Sequence, residues 1–178
     1  MEIFEVNIHT NADENCLRNV VNYPIKGKEI LAKGYGITPY DTNDAVMQMK
    51  KPAEYWENTD KTPICHDVIS FTREIAPTAE KALELAEKIF APYIDDHLTL
   101  IGVHEEERGP SSFHTHIVFS PTNINDGSMM NSDNSGLFPI AQRVADITGQ
   151  KCRLVVKPED KKKKEYHTVF YPHMNSND

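Results

Sequence analysis

The chain predicts an α+β fold, a central and mostly antiparallel β-sheet with flanking helices packed on one face. Strand-like and helix-like apolar patterns follow one another in the order β-α-α-β-α-β-β-α-β. The link over residues 104–113 is too short for a parallel crossover, which favours a hairpin there over a doubly wound sheet. At 178 residues, with 39% hydrophobic and 26% charged, the chain can bury a core of ordinary size without disulfides.

Residues 2–8, EIFEVNI, alternate and are rich in strand formers, so they read as the first strand. A helix follows from Asn11 or Asp13, with Cys16, Leu17, Val20 and Val21 as its apolar stripe. Pro24 restricts Tyr23 and ends it there. Residues 25–37 are rich in Lys and Gly and read as a loop. Asp41 or Thr42 caps a second helix running to about Trp56. HDVISF at 66–71 reads as a buried strand. Pro77 suits the first position of a third helix over 77–91. Its apolar face is Ala79, Ala82, Leu83, Ala86 and Phe90, and it should pack on the sheet face opposite the histidines described below. Strands are expected at 98–104 and 113–120, antiparallel neighbours near the sheet centre. A long polar loop over 121–136 and a short helix over 137–148, stopped by Gly149, come next. CRLVV at 152–156 is the last strand. The domain is expected to span 1–157, with 158–178 a loosely held, basic and polar tail.

The net charge is −8, which taken alone argues against nucleic-acid binding, since such domains are usually basic. The cations are nonetheless grouped. Arg18, Lys26, Lys28 and Lys33 share residues 15–35 with one acid, Glu29, and a second group lies over 150–164, ending in Lys161 to Lys164. Three cysteines, Cys16, Cys65 and Cys152, form no CxxC pair and suit a reducing compartment. The first twenty residues lack the basic and apolar segments of a signal peptide, and no apolar run approaches the roughly 20 residues of a membrane span. A cytoplasmic protein without membrane insertion is expected.

The informative segment is VHEEERGPSSFHTHIVFS. His114 and His116, two apart on a strand, point to one face. A hairpin through residues 105–112 brings His104 alongside them. Three neutral nitrogen donors suit a divalent metal with positions left open for substrate. Glu105 and Glu106 read as a solvated turn. Glu107, three residues past His104, could help hold the metal or accept a proton. His66 is a candidate supporting residue, whereas His9, His97, His167 and His173 read as ordinary polar side chains. A cupin would need an acidic ligand where Ser120 and Pro121 stand, and more strands than this chain offers. The HExxH of a zinc protease is absent.

Tyr23 closes the first helix in CLRNVVNYPIKGKEI, with Lys26 and Lys28 behind it. A phenol that attacks a phosphodiester needs access and nearby positive charge, and this junction offers both. Together these segments resemble the relaxase/mobilisation nuclease domain of plasmid and conjugative-transposon mobilisation proteins, an HUH-class endonuclease. LRNVVNYPIKGK resembles the helix that carries the nucleophilic tyrosine. GYGITPYDTNDAVMQMKKPAEYW and HDVISFTREIAPTAEKALELAEKIF resemble the two segments that follow. HEEERGPSSFHTHIVFSPTNINDG resembles the metal motif. The resemblance covers about residues 3–130. It departs at Ser120, where the family often has Asn four residues after the last histidine, and in its negative charge.

The resemblance implies a relaxase-like sheet with the histidines on a strand pair and the tyrosine on a nearby helix. His104, His114 and His116 would hold Mn²⁺ or Mg²⁺, with Zn²⁺ or Ni²⁺ as ions acquired on purification. Tyr23 would attack single-stranded DNA at an origin of transfer, initiating mobilisation or conjugation, with accessory mobilisation proteins as further partners. Glu107, His66 or a metal-bound hydroxide would take the proton. Arg18, Lys26, Lys28 and Lys33, with the basic tail, would hold DNA, and Tyr35, Tyr40, Tyr55 or Trp56 would stack on bases. The alternatives are a catalytically inactive HUH-type DNA-binding module and a metal-dependent phosphoesterase that uses water.

Overall fold

The computed structural model describes residues 1–9, 13–25, 29–106, 111–131 and 134–174. The elements are β1 (Glu2–Asn7), α1 (Glu14–Asn22), β2 (Glu29–Tyr35), α2 (Thr42–Tyr55), β3 (Cys65–Thr72), α3 (Ala79–Ile94), β4 (Thr99–Glu105), β5 (Ser111–Phe119), α4 (Asn134–Thr148), β6 (Cys152–Lys157) and β7 (Tyr166–Phe170). Among the described residues the strands form one sheet in the order β2-β4-β5-β3-β1-β6-β7. The β1–β6 pair is parallel and the other neighbours are antiparallel. The α+β class and the central β4–β5 hairpin follow the sequence reading.

Side-chain alternation divides the molecule into two cores. Ile69, Phe71, Ile101, Val103, Phe113, Ile117 and Phe119 face one side, where they pack with Ala82, Ile89 and Phe90 of α3 and Ile140 and Val144 of α4. Leu100 and Val118 face the other side, against Leu17, Val20 and Val21 of α1 and Val46 and Met49 of α2. Helices therefore cover both faces, which corrects the expected one-sided packing. The central strands record this in their burial, almost unbroken along β3 and β4, as in any strand covered on both sides. Helix α3 lies opposite the histidine face, as expected.

Two further expectations are corrected. Residues 29–35, expected as loop, form β2 and pair with β4. An edge strand needs only one hydrogen-bonded neighbour and tolerates Lys and Gly, so its composition looks loop-like. The stretch after Pro158, expected to be loosely held, contains β7, whose Phe170 ring packs at 5.1 Å on Phe138 of α4.

The helix starts follow local chemistry. Asp13 caps α1, its Oδ1 accepting from the Asn15 N–H at 2.8 Å, and Asp41 caps α2 by accepting from the Asp44 N–H at 3.1 Å. Helix α3 begins at Ala79 behind a Thr78 cap, so Pro77 precedes the helix rather than opening it.

Candidate active site

Strand register assembles the histidines. His104 of β4 stands directly opposite His114 of β5, and His116 stands opposite Gly102. On the other flank β3 sets Val68 beside His116 and His66 beside Val118. His66 is thus diagonal to His116 on the same face, and its Nε2 lies 3.0 Å from His116 Nδ1. The His104 and His116 rings are 4.4 Å apart between centroids. His9 stacks on His66 at 5.8 Å with 12° between planes.

Helix α1 brings Tyr23 over this face. Leu17, Val20 and Val21 bury its inner stripe, and the Tyr23 N–H closes the last turn by donating to Val20 O at 3.1 Å. The phenol ring then lies 5.2 Å from the His66 ring and 5.4 Å from the His116 ring. An open cleft of about 290 Å³ is lined by Glu5, Asn7, Tyr23, His66, Ser70, His114, His116 and Lys157. The nucleophile candidate and two of the three expected metal ligands line one cavity, and the third, His104, touches it through His116.

Burial pushes His116 down to about 3, helped by the charges of His104, His66 and His114. Burial likewise pushes His66 down to about 4, with His9 and His104 adding to the effect. Both rings are neutral at physiological pH, the form that offers a nitrogen lone pair. This donor chemistry fits a divalent cation, and His104 Nε2 is buried in the cluster. Among the described residues no group of three or more His, Cys, Asp or Glu side chains is arranged to hold a metal ion. One ring explains part of this: His114 Nε2 is turned to Glu106 Oε2 at 2.7 Å.

Glu106, read from the sequence as a solvated turn residue, therefore contacts the cluster. Alternation along β4 could have found it, since Glu106 is two residues past His104 and shares its face. Glu105 instead pairs with Arg73 at 3.3 Å. Glu107, Lys26 and Lys28 lie outside the described residues. The structure does not bring Arg18 or Lys33 to the cleft. Arg18 is engaged by Asn43 and by Glu14, the latter at 3.4 Å. Lys33 lies on the α3 face, paired at 2.5 Å with Glu87, which also accepts from the Tyr35 hydroxyl. Tyr40 and Tyr55 are exposed, and Trp56 Nε1 donates to Ile124 O at 3.3 Å. Among the described residues the cation that does line the cleft is Lys157, 2.8 Å from Glu5. Ser120 is fully buried, its hydroxyl accepting from the Thr122 N–H at 3.4 Å just past β5.

A sheet that sets histidines on two paired strands beneath a tyrosine at a helix end suits attack on a phosphodiester. The family model for Relaxase: MobA/VirD2-like, nuclease domain matches residues 22–154, from the last residue of α1 into β6. The chain belongs to this family of relaxase nuclease domains, as the resemblance implied, and the family association is with DNA nicking in mobilisation. No curated protein and no solved structure shows a significant match to it. Among the described residues no helix is long and apolar enough to cross a membrane.

Proposed function

We propose that this domain nicks one strand of DNA at an origin of transfer by tyrosine transesterification. The observation that carries the reading is the Tyr23 ring held against His66 and His116 in one cleft. His104, His114 and His116 would hold a divalent cation, His114 by leaving Glu106. Once bound, that ion supplies Lewis-acid charge to the non-bridging oxygens of the scissile phosphate.

The chain's own residues carry the rest. His66 Nε2 lies 3.0 Å from His116 Nδ1; with the His116 proton on Nδ1, His66 would accept it, leave His116 Nε2 as the lone-pair nitrogen and fix the ring's orientation. This makes His66 a positioning residue in preference to a base. The Tyr23 phenol oxygen attacks in line and forms a bond to the 5′-phosphate. The bond from phosphorus to the 3′-oxygen breaks, and that oxygen leaves as a hydroxyl after taking a proton from water in the open cleft. Glu107 takes the phenol proton in this reading. One phosphodiester replaces another, so the step is nearly thermoneutral and the strand can be rejoined. Lys157 contacts a neighbouring phosphate by exchanging Glu5 for it, in place of the more distant Lys33.

The test is incubation of the domain with labelled single-stranded DNA from the transfer origin of its own mobile element, with Mn²⁺ present. A denaturation-resistant protein–DNA adduct, lost in Tyr23→Phe, supports the reading. Free cleaved ends without an adduct would show hydrolysis, and intact bound DNA would show a binding module.

A further inference from the structure

We infer that Gly102 is the seat that positions the nucleophile. Gly102 lies in the middle of β4, where a glycine has no side chain to pack and weakens the strand. Its place in the register is directly beside His116. A Cβ built on Gly102 would lie 1.8 Å from the carbonyl oxygen of Pro24, 2.5 Å from its carbonyl carbon and 2.6 Å from its Cα. All three are backbone atoms, so no side chain can rotate out of the way. The chain just past Tyr23 therefore rests on bare strand backbone, at the one position beside His116 that lacks a Cβ.

This contact supplies what the tyrosine side chain lacks. Tyr23 is 58% exposed, so packing around its ring holds it only weakly. Its location is set instead by the backbone on either side. Val20 and Val21 anchor the helix from within, and the Gly102 seat holds Pro24 down on the sheet. Any larger residue at position 102 must lift Pro24, and Tyr23 with it, by about 1 Å or more, a displacement that can cost on the order of 100-fold in rate. Gly102 touches no reacting atom in this account and is a positioning residue. The inference rests on the reading of Tyr23 as nucleophile for its consequence, but not for its geometry.

The experiment places 3-fluorotyrosine at position 23 alone and compares the parent chain with Gly102→Ala by ¹⁹F NMR, alongside adduct formation and Mn²⁺ binding. The parent signal should be displaced from that of free fluorotyrosine by the His66 and His116 rings. In Gly102→Ala it should move towards the free value. Adduct formation should fall about 100-fold, while the KM for DNA and the Mn²⁺ affinity stay within about twofold of the parent. Pro24→Gly keeps the carbonyl but frees the chain to step aside, so it should recover part of the loss in the double variant. It also provides the test if Gly102→Ala does not fold: alone, it should slow adduct formation without weakening Mn²⁺ binding. An unchanged ¹⁹F signal and rate in folded Gly102→Ala, or an unchanged rate in Pro24→Gly when Gly102→Ala does not fold, overturns the seat. A parent that forms no adduct ends the nicking reading, and the ¹⁹F comparison still decides the geometry.

Discussion

In the proposed reaction the two ring nitrogens of His116 have separate tasks. Nδ1 is engaged by His66 at 3.0 Å, which leaves Nε2 to face the cluster. Removing such a supporting partner typically weakens metal affinity by about 10–100-fold. His66→Ala should therefore raise the Mn²⁺ concentration needed for adduct formation by about that factor, while saturating Mn²⁺ restores much of the rate. Unchanged Mn²⁺ dependence would show that His116 is oriented by something else. Asp67, one residue on, points to the opposite core. It is fully buried, and burial raises its carboxyl well above the ordinary range. An acid whose pKa is higher folded than unfolded binds more protons when folded. Its contribution is present below about 3.9, the unfolded value, and is lost as pH rises towards the folded one. Asp67→Asn should therefore be more stable than the parent at pH 8, with the gain shrinking towards pH 4, by urea denaturation. A gain that does not vary with pH would contradict this. At this scale the histidine triad was legible, because two-residue alternation and one short link are local facts. His66 was legible as a candidate supporting residue, but its contact with His116 and the sheet face of Lys33 were not. A diagonal contact depends on how β3 is registered against β5, and a charge patch read along the chain does not reveal which sheet face each lysine takes.

Among the elements, α1 is the one that brings Tyr23 to the cleft. Its N-terminus depends on Asp13, whose carboxylate accepts from two backbone N–H groups, those of Asn15 and Cys16. Asp13→Ala should cost about 1 kcal/mol. Chemical denaturation reads that loss, and a change near zero would show that tertiary packing alone holds the helix. The periodicity of Leu17, Val20 and Val21 and the stop at Pro24 make α1 legible in the sequence. What covers Gly102 is not legible there, because a helix end settling on a strand some eighty residues away leaves no trace in local pattern. Strand β2 escaped for another reason. Its Lys33 and Gly34 suit an edge, and their composition is that of a loop. The two-sided packing was hinted at by continuous apolar runs such as VISF and LIGV, which a sheet with one wet face does not need.

The whole molecule closes its sheet at the β6 side with β7. Gln142 of α4 donates to Tyr171 O at 2.8 Å, and the His173 N–H donates to Asp146 at 2.8 Å, so the stretch after β7 is tied to the same helix. A chain ending at Lys157 should expose the β6 edge, unfold at lower denaturant and self-associate, read by light scattering. A monomer with the parent midpoint would show that residues 158–178 are dispensable. The net charge of −8 averages over a surface on which the cleft presents Lys157, paired with Glu5, beside the neutral rings of His66 and His116. In the proposed nicking reaction Tyr23 becomes covalently attached to DNA. The most direct measurement is to isolate the adduct, digest both protein and DNA, and locate the nucleotide by mass spectrometry. Attack by Tyr23 should leave a 5′-phosphonucleotide on the peptide that contains it. A nucleotide on Tyr35, Tyr40 or Tyr55, or cleaved DNA with no modified peptide, would contradict it.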